Sequence, residues 1–138
     1  MDGLEIAERQ LKEKKLSLVF VKNSKAIFET RTEGLRGFVQ AIDELDGMLT
    51  GASVADKTIG KAAALLCVYA NVAAAFAVTI SRSGLETLNA YSIRCEYENL
   101  VSTILNRKKT DRCPFEKLVE NTANPEEAYR EIRHACNI

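Results

Sequence analysis

Apolar and polar positions divide the chain into short segments of changing period. In residues 2–14, Leu4, Ala7 and Leu11 share one face of an otherwise charged stretch, which predicts a short amphipathic helix. Leu16–Val21 and Ala26–Thr30 are rich in valine, isoleucine and phenylalanine and flank Lys22-Asn23-Ser24-Lys25, the pattern of a β-hairpin. Leu35, Phe38, Val39, Ile42 and Leu45 then follow helical spacing, with Gly47 as a stop. The segment Ser53–Val68 predicts the next helix. Ser53 is its N-cap, Asp56 stands at the third helical position within reach of the cap, and the segment turns almost wholly apolar from Ala62. Val72–Ile80 is a continuous apolar run without alternation, as in a central strand covered on both faces. Ser83–Tyr91 predicts a short helix and Tyr91–Tyr97 a further strand.

The tail is less regular. Glu98–Leu105 fits helix or strand, and Asn106–Arg112 is a polar, basic loop. Pro114 suits the first position of a helix, and Asn124-Pro125 with Glu127 marks the start of the last one. Strands alternating with helices favour parallel crossovers. The expected architecture is one α/β domain over residues 1–138, a three-layer α/β/α sandwich around a mixed sheet of four to five strands.

Composition narrows the function classes. In 138 residues with 46% hydrophobic content, nineteen basic residues balance nineteen acidic ones, so the total charge gives nucleic-acid binding no support. No apolar run reaches the length of a membrane span, since Asn71 splits the longest stretch. The N-terminus lacks the pattern of a signal peptide. Four cysteines, at 67, 95, 113 and 136, form no Cys-x-x-Cys pair and read as reduced thiols of a cytoplasmic protein. Cys67 and Cys95 read as buried small hydrophobes, Cys136 as part of a loose terminus, and His134 as an exposed surface residue.

Two features of the 53–68 segment do not serve packing. Lys57 and Lys61 stand four residues apart on one face of the first turns, where the helix dipole disfavours cations, and Gly60 inside a helix costs about 1 kcal/mol relative to alanine. A helix start with free N–H groups and two lysines is an anion site, with Ser53, Asp56, Lys57, Gly60 and Lys61 as its residues. The alternative is a capping aspartate, a glycine for close packing and two solvated lysines. A P-loop is excluded, because Ala55 and Ala62 stand where its first glycine and its Ser/Thr belong. The second candidate is Cys113-Pro114-Phe115-Glu116. With Pro114 opening a helix, Cys113 is its cap, and a helix start with Arg107 and Arg112 nearby lowers a thiol's pKa, while Glu116 opposes. Cys113 is then a nucleophile, a redox-sensitive thiol, a sulfur carrier or merely a cap in place of serine. Asn106 and Arg107 belong to a cationic loop that could close over an anionic ligand.

Val54-Ala55-Asp56, followed by Phe76–Ser81 and Arg82-Ser83-Gly84-Leu85-Glu86, resembles the cytidine deaminase superfamily. Its members carry His-Ala-Glu at one helix start, then a strand, then Pro-Cys-x-x-Cys at the next helix start. On this match Val54 replaces the histidine, Asp56 the catalytic glutamate, and Ser83 and Glu86 the two cysteines. The run Ala55–Ala64, with Asn106-Arg107 and Cys113–Glu116, is similar to an uncharacterised prokaryotic family of this fold that lacks the zinc ligands. The resemblance implies the deaminase-like fold, a ligand near the helix start and self-association. Valine cannot ligate zinc and serine ligates it poorly, so neither a metal, nor another cofactor, nor zinc-dependent deamination is expected. The expected function is binding of a small anionic or nucleotide-like ligand at the 53–61 helix start. Thiol chemistry at Cys113 and a catalytic role for Asp56 are candidates beside it. The alternative is a non-catalytic interaction or scaffold protein.

Overall fold

The computed structural model describes residues 1–138. Its elements are α1 (Gly3–Glu13), β1 (Leu18–Lys22), β2 (Lys25–Thr30), α2 (Arg36–Leu45), β3 (Ser53–Ile59), α3 (Lys61–Tyr69), β4 (Ala74–Ser81), α4 (Arg82–Ala90), β5 (Arg94–Val101), α5 (Pro114–Leu118) and α6 (Pro125–Ala135). The strands form one mixed sheet in the order β2-β1-β3-β4-β5. β1 runs antiparallel to β2 and to β3, whereas β3, β4 and β5 are parallel and joined by the crossover helices α3 and α4.

Strand alternation assigns the two faces. Val19, Ala55 and Phe76 point to α1, where they pack with Leu4, Ala7 and Leu11. Phe20 and Val54 point the other way, into the larger core built with Phe38 of α2, Leu66 of α3, Leu88 of α4 and Ile132 of α6. The architecture is therefore the expected three-layer α/β/α sandwich, with a mixed sheet of five strands. No helix is long and apolar enough to cross a membrane.

Local chemistry accounts for much of this. Asp2 and Glu5 form a reciprocal capping box on α1, and Asn124 accepts from the N–H groups of Glu126 and Glu127 at the start of α6. The hairpin turns through Asn23 and Ser24, both at positive φ, which suits the right-handed twist of the flanking strands.

The main departure from expectation is the segment before α3. Ser53–Ile59 is not the start of a helix but strand β3, and Ser53 caps nothing. Val54 and Ala55 are both buried, one on each face, because α1 covers one face of β3 and the larger core covers the other. Gly60 is the N-cap of α3, in extended conformation, rather than a glycine within the helix. The third parallel strand also shifts: β5 begins at Arg94, not Tyr91, because Tyr91 and Ser92 complete the turn after α4 and Ser92 takes positive φ. Cys136 is buried against the core rather than part of a loose terminus, and Cys95 is half-buried on the edge strand.

Candidate functional site

In a parallel α/β sheet, clefts form beyond the carboxyl ends of the strands, where helix starts converge. Here β3 ends at Ile59 and α3 begins at Lys61, while the chain leading into α2 and the α5 segment close the sides. A cavity of about 240 Å³ opens among them, lined by Leu35, Asp56, Thr58, Ala63, Cys113 and Glu116. A wider outer lobe of about 630 Å³ shares Leu35, Thr58 and Cys113 with it and extends past Arg36, Asn106 and Arg107.

Asp56 is the inner ionisable group. In β3 it faces the same side as Val54, beneath α3, and its Oδ1 accepts from the Thr58 N–H at 3.2 Å. Burial pushes its pKa up to about 7, against the lowering effect of the Thr58 and Lys57 backbone N–H groups. The buried Cys67 thiol is raised well above its ordinary value, first by burial and then by the Asp56 charge.

The amide end of α3 is already filled. Glu116 accepts from Lys61 N–H at 2.7 Å through Oε1 and from Ala62 N–H at 2.9 Å through Oε2. A Cβ on Gly60 would lie 2.4–2.7 Å from the three head-group atoms of that carboxylate, so glycine is required where the strand passes it. The Lys61 ammonium turns outward and donates to the Glu120 carbonyl at 2.9 Å.

The candidate residues therefore separate. Asp56, Lys57, Gly60, Cys113 and Glu116 line the inner cavity, with Lys57 exposed at its mouth. Asn106 and Arg107 line the outer lobe. Asn106 braces its own loop by accepting from Thr110 N–H, and Arg107 reaches Glu33 across the mouth at 3.7 Å. Ser53 lies at the opposite end of β3, its hydroxyl against the Gly3 backbone at the start of α1, and has no part in the site. Asp56 caps no helix, and Lys57 and Lys61 share no helix face, because the strand-to-helix break falls between them.

Asp56 and Cys113 share the cavity, whereas the Lys61 head group is directed elsewhere. Cys113 does stand at the cap of α5, but its sulfur accepts nothing from the helix. Its carbonyl takes the Glu116 and Lys117 N–H groups instead. Arg112 pairs with Glu120 at 3.1 Å, so the expected activators of the thiol are engaged with other partners.

The deaminase motif match is also displaced. Val54-Ala55-Asp56 lies in a strand, while Ser83 and Glu86 open α4 outside the cleft. The helix–strand–helix unit around the cleft is α2–β3–α3, so its helix starts are at Gly34–Arg36 and Gly60–Ala64. Neither stretch contains a histidine or cysteine, and no three His, Cys, Asp or Glu side chains in the chain group closely enough to hold a metal ion. Sequence reasoning missed Glu33, Leu35 and Thr58 as lining residues. Thr58, two residues after Asp56 in an alternating strand, had the one usable signal.

No curated protein matches the chain. A crystal structure of a DUF1893 family protein (TM1506) from Thermotoga maritima superposes with a TM-score of 0.89 at 32% identity, covering 96% of this chain and 89% of that one. Two forms of Acinetobacter baumannii RibD are similar in fold, with TM-scores of 0.50 and 0.51 at 19% and 20% identity. Each covers 70% of this chain, which spans 33% of RibD. The TM1506 family pattern, a domain of unknown function (DUF1893), matches residues 6–136, and the chain belongs to that family.

Proposed function

We propose that this protein binds a small nucleotide-like ligand in the cleft beyond β3, with the heterocyclic end inward against Asp56. The observation that carries the reading is the Asp56 carboxyl group, its pKa pushed up to about 7 by burial, within a cavity of about 240 Å³ that has apolar walls at Leu35, Ala63 and Phe115. Such a group accepts from a ring N–H when ionised and donates to a ring nitrogen when protonated. An anionic portion of the ligand is served by Arg107 in the outer lobe, in exchange for its exposed 3.7 Å contact with Glu33, rather than by the start of α3. Zinc-dependent deamination forms no part of the proposal, because the donor set at the two helix starts does not fit the metal. Thiol chemistry at Cys113 retains one supporting fact, the cavity it shares with Asp56.

A thermal-shift screen of nucleosides, nucleotides and sugar phosphates tests the reading. A ligand at about one hundred times its Kd adds about 2.7 kcal/mol, a rise of several degrees for a chain of this size. The response is expected to vanish in Asp56→Ala and persist in Ser53→Ala. A response that survives Asp56→Ala refutes the assignment.

An interaction scaffold is the second reading, supported by β5. This edge strand is eight residues long and exposes Tyr97 and Leu100 on its two faces. A flat ligand screen, together with concentration-dependent self-association abolished by Glu96→Pro, would favour it.

A further inference from the structure

We infer that Glu116 sets the charge preference of the cleft, which rests on the ligand-binding reading above. The α3 start faces the inner lobe through Gly60, Ala62 and Ala63, and helix starts of this kind ordinarily attract anions. Here the anion is internal. Both Glu116 oxygens are engaged by the Lys61 and Ala62 N–H groups, and the residue is only 9% exposed. The carboxylate is carried by α5, whose entry is fixed by Pro114 and by the Cys113 carbonyl, which accepts from Glu116 N–H at 3.0 Å.

The cations that could have recruited an anion are directed elsewhere. Lys61 is bonded to the Glu120 carbonyl, and Arg112 to the Glu120 carboxylate. Asp56 and Glu116 therefore dominate the inner lobe, Glu33 and Lys57 stand at its mouth, and Arg36 and Arg107 line only the outer lobe. An incoming ligand meets a proton-accepting inner end and an outer lobe in which Arg36 and Arg107 outnumber Glu33. Its neutral or cationic portion enters towards Asp56, and its phosphate stays outside. Glu116 is a specificity-determining residue that acts by occupying the anion position itself.

The test titrates inorganic phosphate into the protein at constant ionic strength and follows the backbone amide resonances of Lys61 and Ala62 by NMR. In the wild type these two resonances are expected to stay in place. In Glu116→Ala they are expected to move saturably, and in Glu116→Gln to a smaller extent, because the carboxamide retains one acceptor. Saturable movement in the wild type overturns the inference, as does a folded Glu116→Ala or Glu116→Gln protein blind to phosphate. Should Glu116→Ala fail to fold, the wild type and the isosteric Glu116→Gln still decide the matter. The readout uses no natural ligand, so its failure is separate from failure of the Asp56-dependent screen.

Discussion

Two helices start side by side at the same end of the sheet, and they are capped in opposite ways. α4 follows β4 and is capped from within its own segment: the Ser81 hydroxyl accepts from Gly84 N–H at 3.0 Å. α3 follows β3, has no side-chain bond from its own N-cap Gly60, and is capped by Glu116 from far along the chain. The strands differ at matching positions too. Asp56 of β3 is paired in register with Ala77 of β4, so a carboxyl group stands on one side where a methyl group stands on the other. The two starts are in contact: a Cβ on Gly84 would lie 2.8 Å from the Ile59 carbonyl. A locally satisfied start is a structural joint. The remotely satisfied one leaves a cavity with an ionisable group inside it.

The largest test of that contrast is the pH dependence of stability. Asp56 has its folded pKa raised to about 7, above an unfolded value of about 3.9. The native state therefore holds the extra proton between those values, and the contribution is fully present below the lower one and lost as pH rises through the upper. Three pH units at about 1.36 kcal/mol each give a loss of up to about 4 kcal/mol. Urea unfolding from about pH 4 to pH 8 should show this decline in wild type and not in Asp56→Asn. An unchanged slope in Asp56→Asn would remove Asp56 as the source.

Next in size is Glu116→Ala, which leaves two amides at the start of α3 without their charged acceptor. Hydrogen bonds to charged groups contribute about 1.5–3 kcal/mol, so a loss of about 3 kcal/mol is expected by urea denaturation. Gly60→Ala forces a Cβ against the same carboxylate and should cost about 2 kcal/mol as an overpacking change. The two effects should be less than additive in the double variant, because removing Glu116 also removes the clash. Full additivity would mean that Gly60 is needed for another reason. The smallest effect belongs to the other helix: Ser81→Ala should cost about 1 kcal/mol, the value of an ordinary N-cap, without altering the cleft.

Particular residues mark how much of this was legible in the chain. Leu4, Ala7 and Leu11 announced α1, Lys22–Lys25 announced the hairpin turn, and Asn124-Pro125 announced α6, because each signal acts within one or two turns of its own position. Asp56, Cys113 and Glu116 were singled out from the sequence and do share a cavity, although Asp56 was assigned to a cap and the thiol to an activating helix start. Ser53-Val54-Ala55-Asp56 misled because serine followed three residues later by an acid spells a capping box, while the seven residues Ser53–Ile59 show no apolar–polar alternation that would have marked a strand. Local sequence thus favoured the cap.

The chain by itself determined the fold class, the periods of its segments and the caps that close locally. Only the tertiary structure decided that residues 53–59 are a strand, since the ladder bonds that hold them come from β1 and β4 on either side. It also decided that the start of α3 is satisfied by Glu116, because two donors and an acceptor more than fifty residues apart meet only once the sheet and α5 are in place.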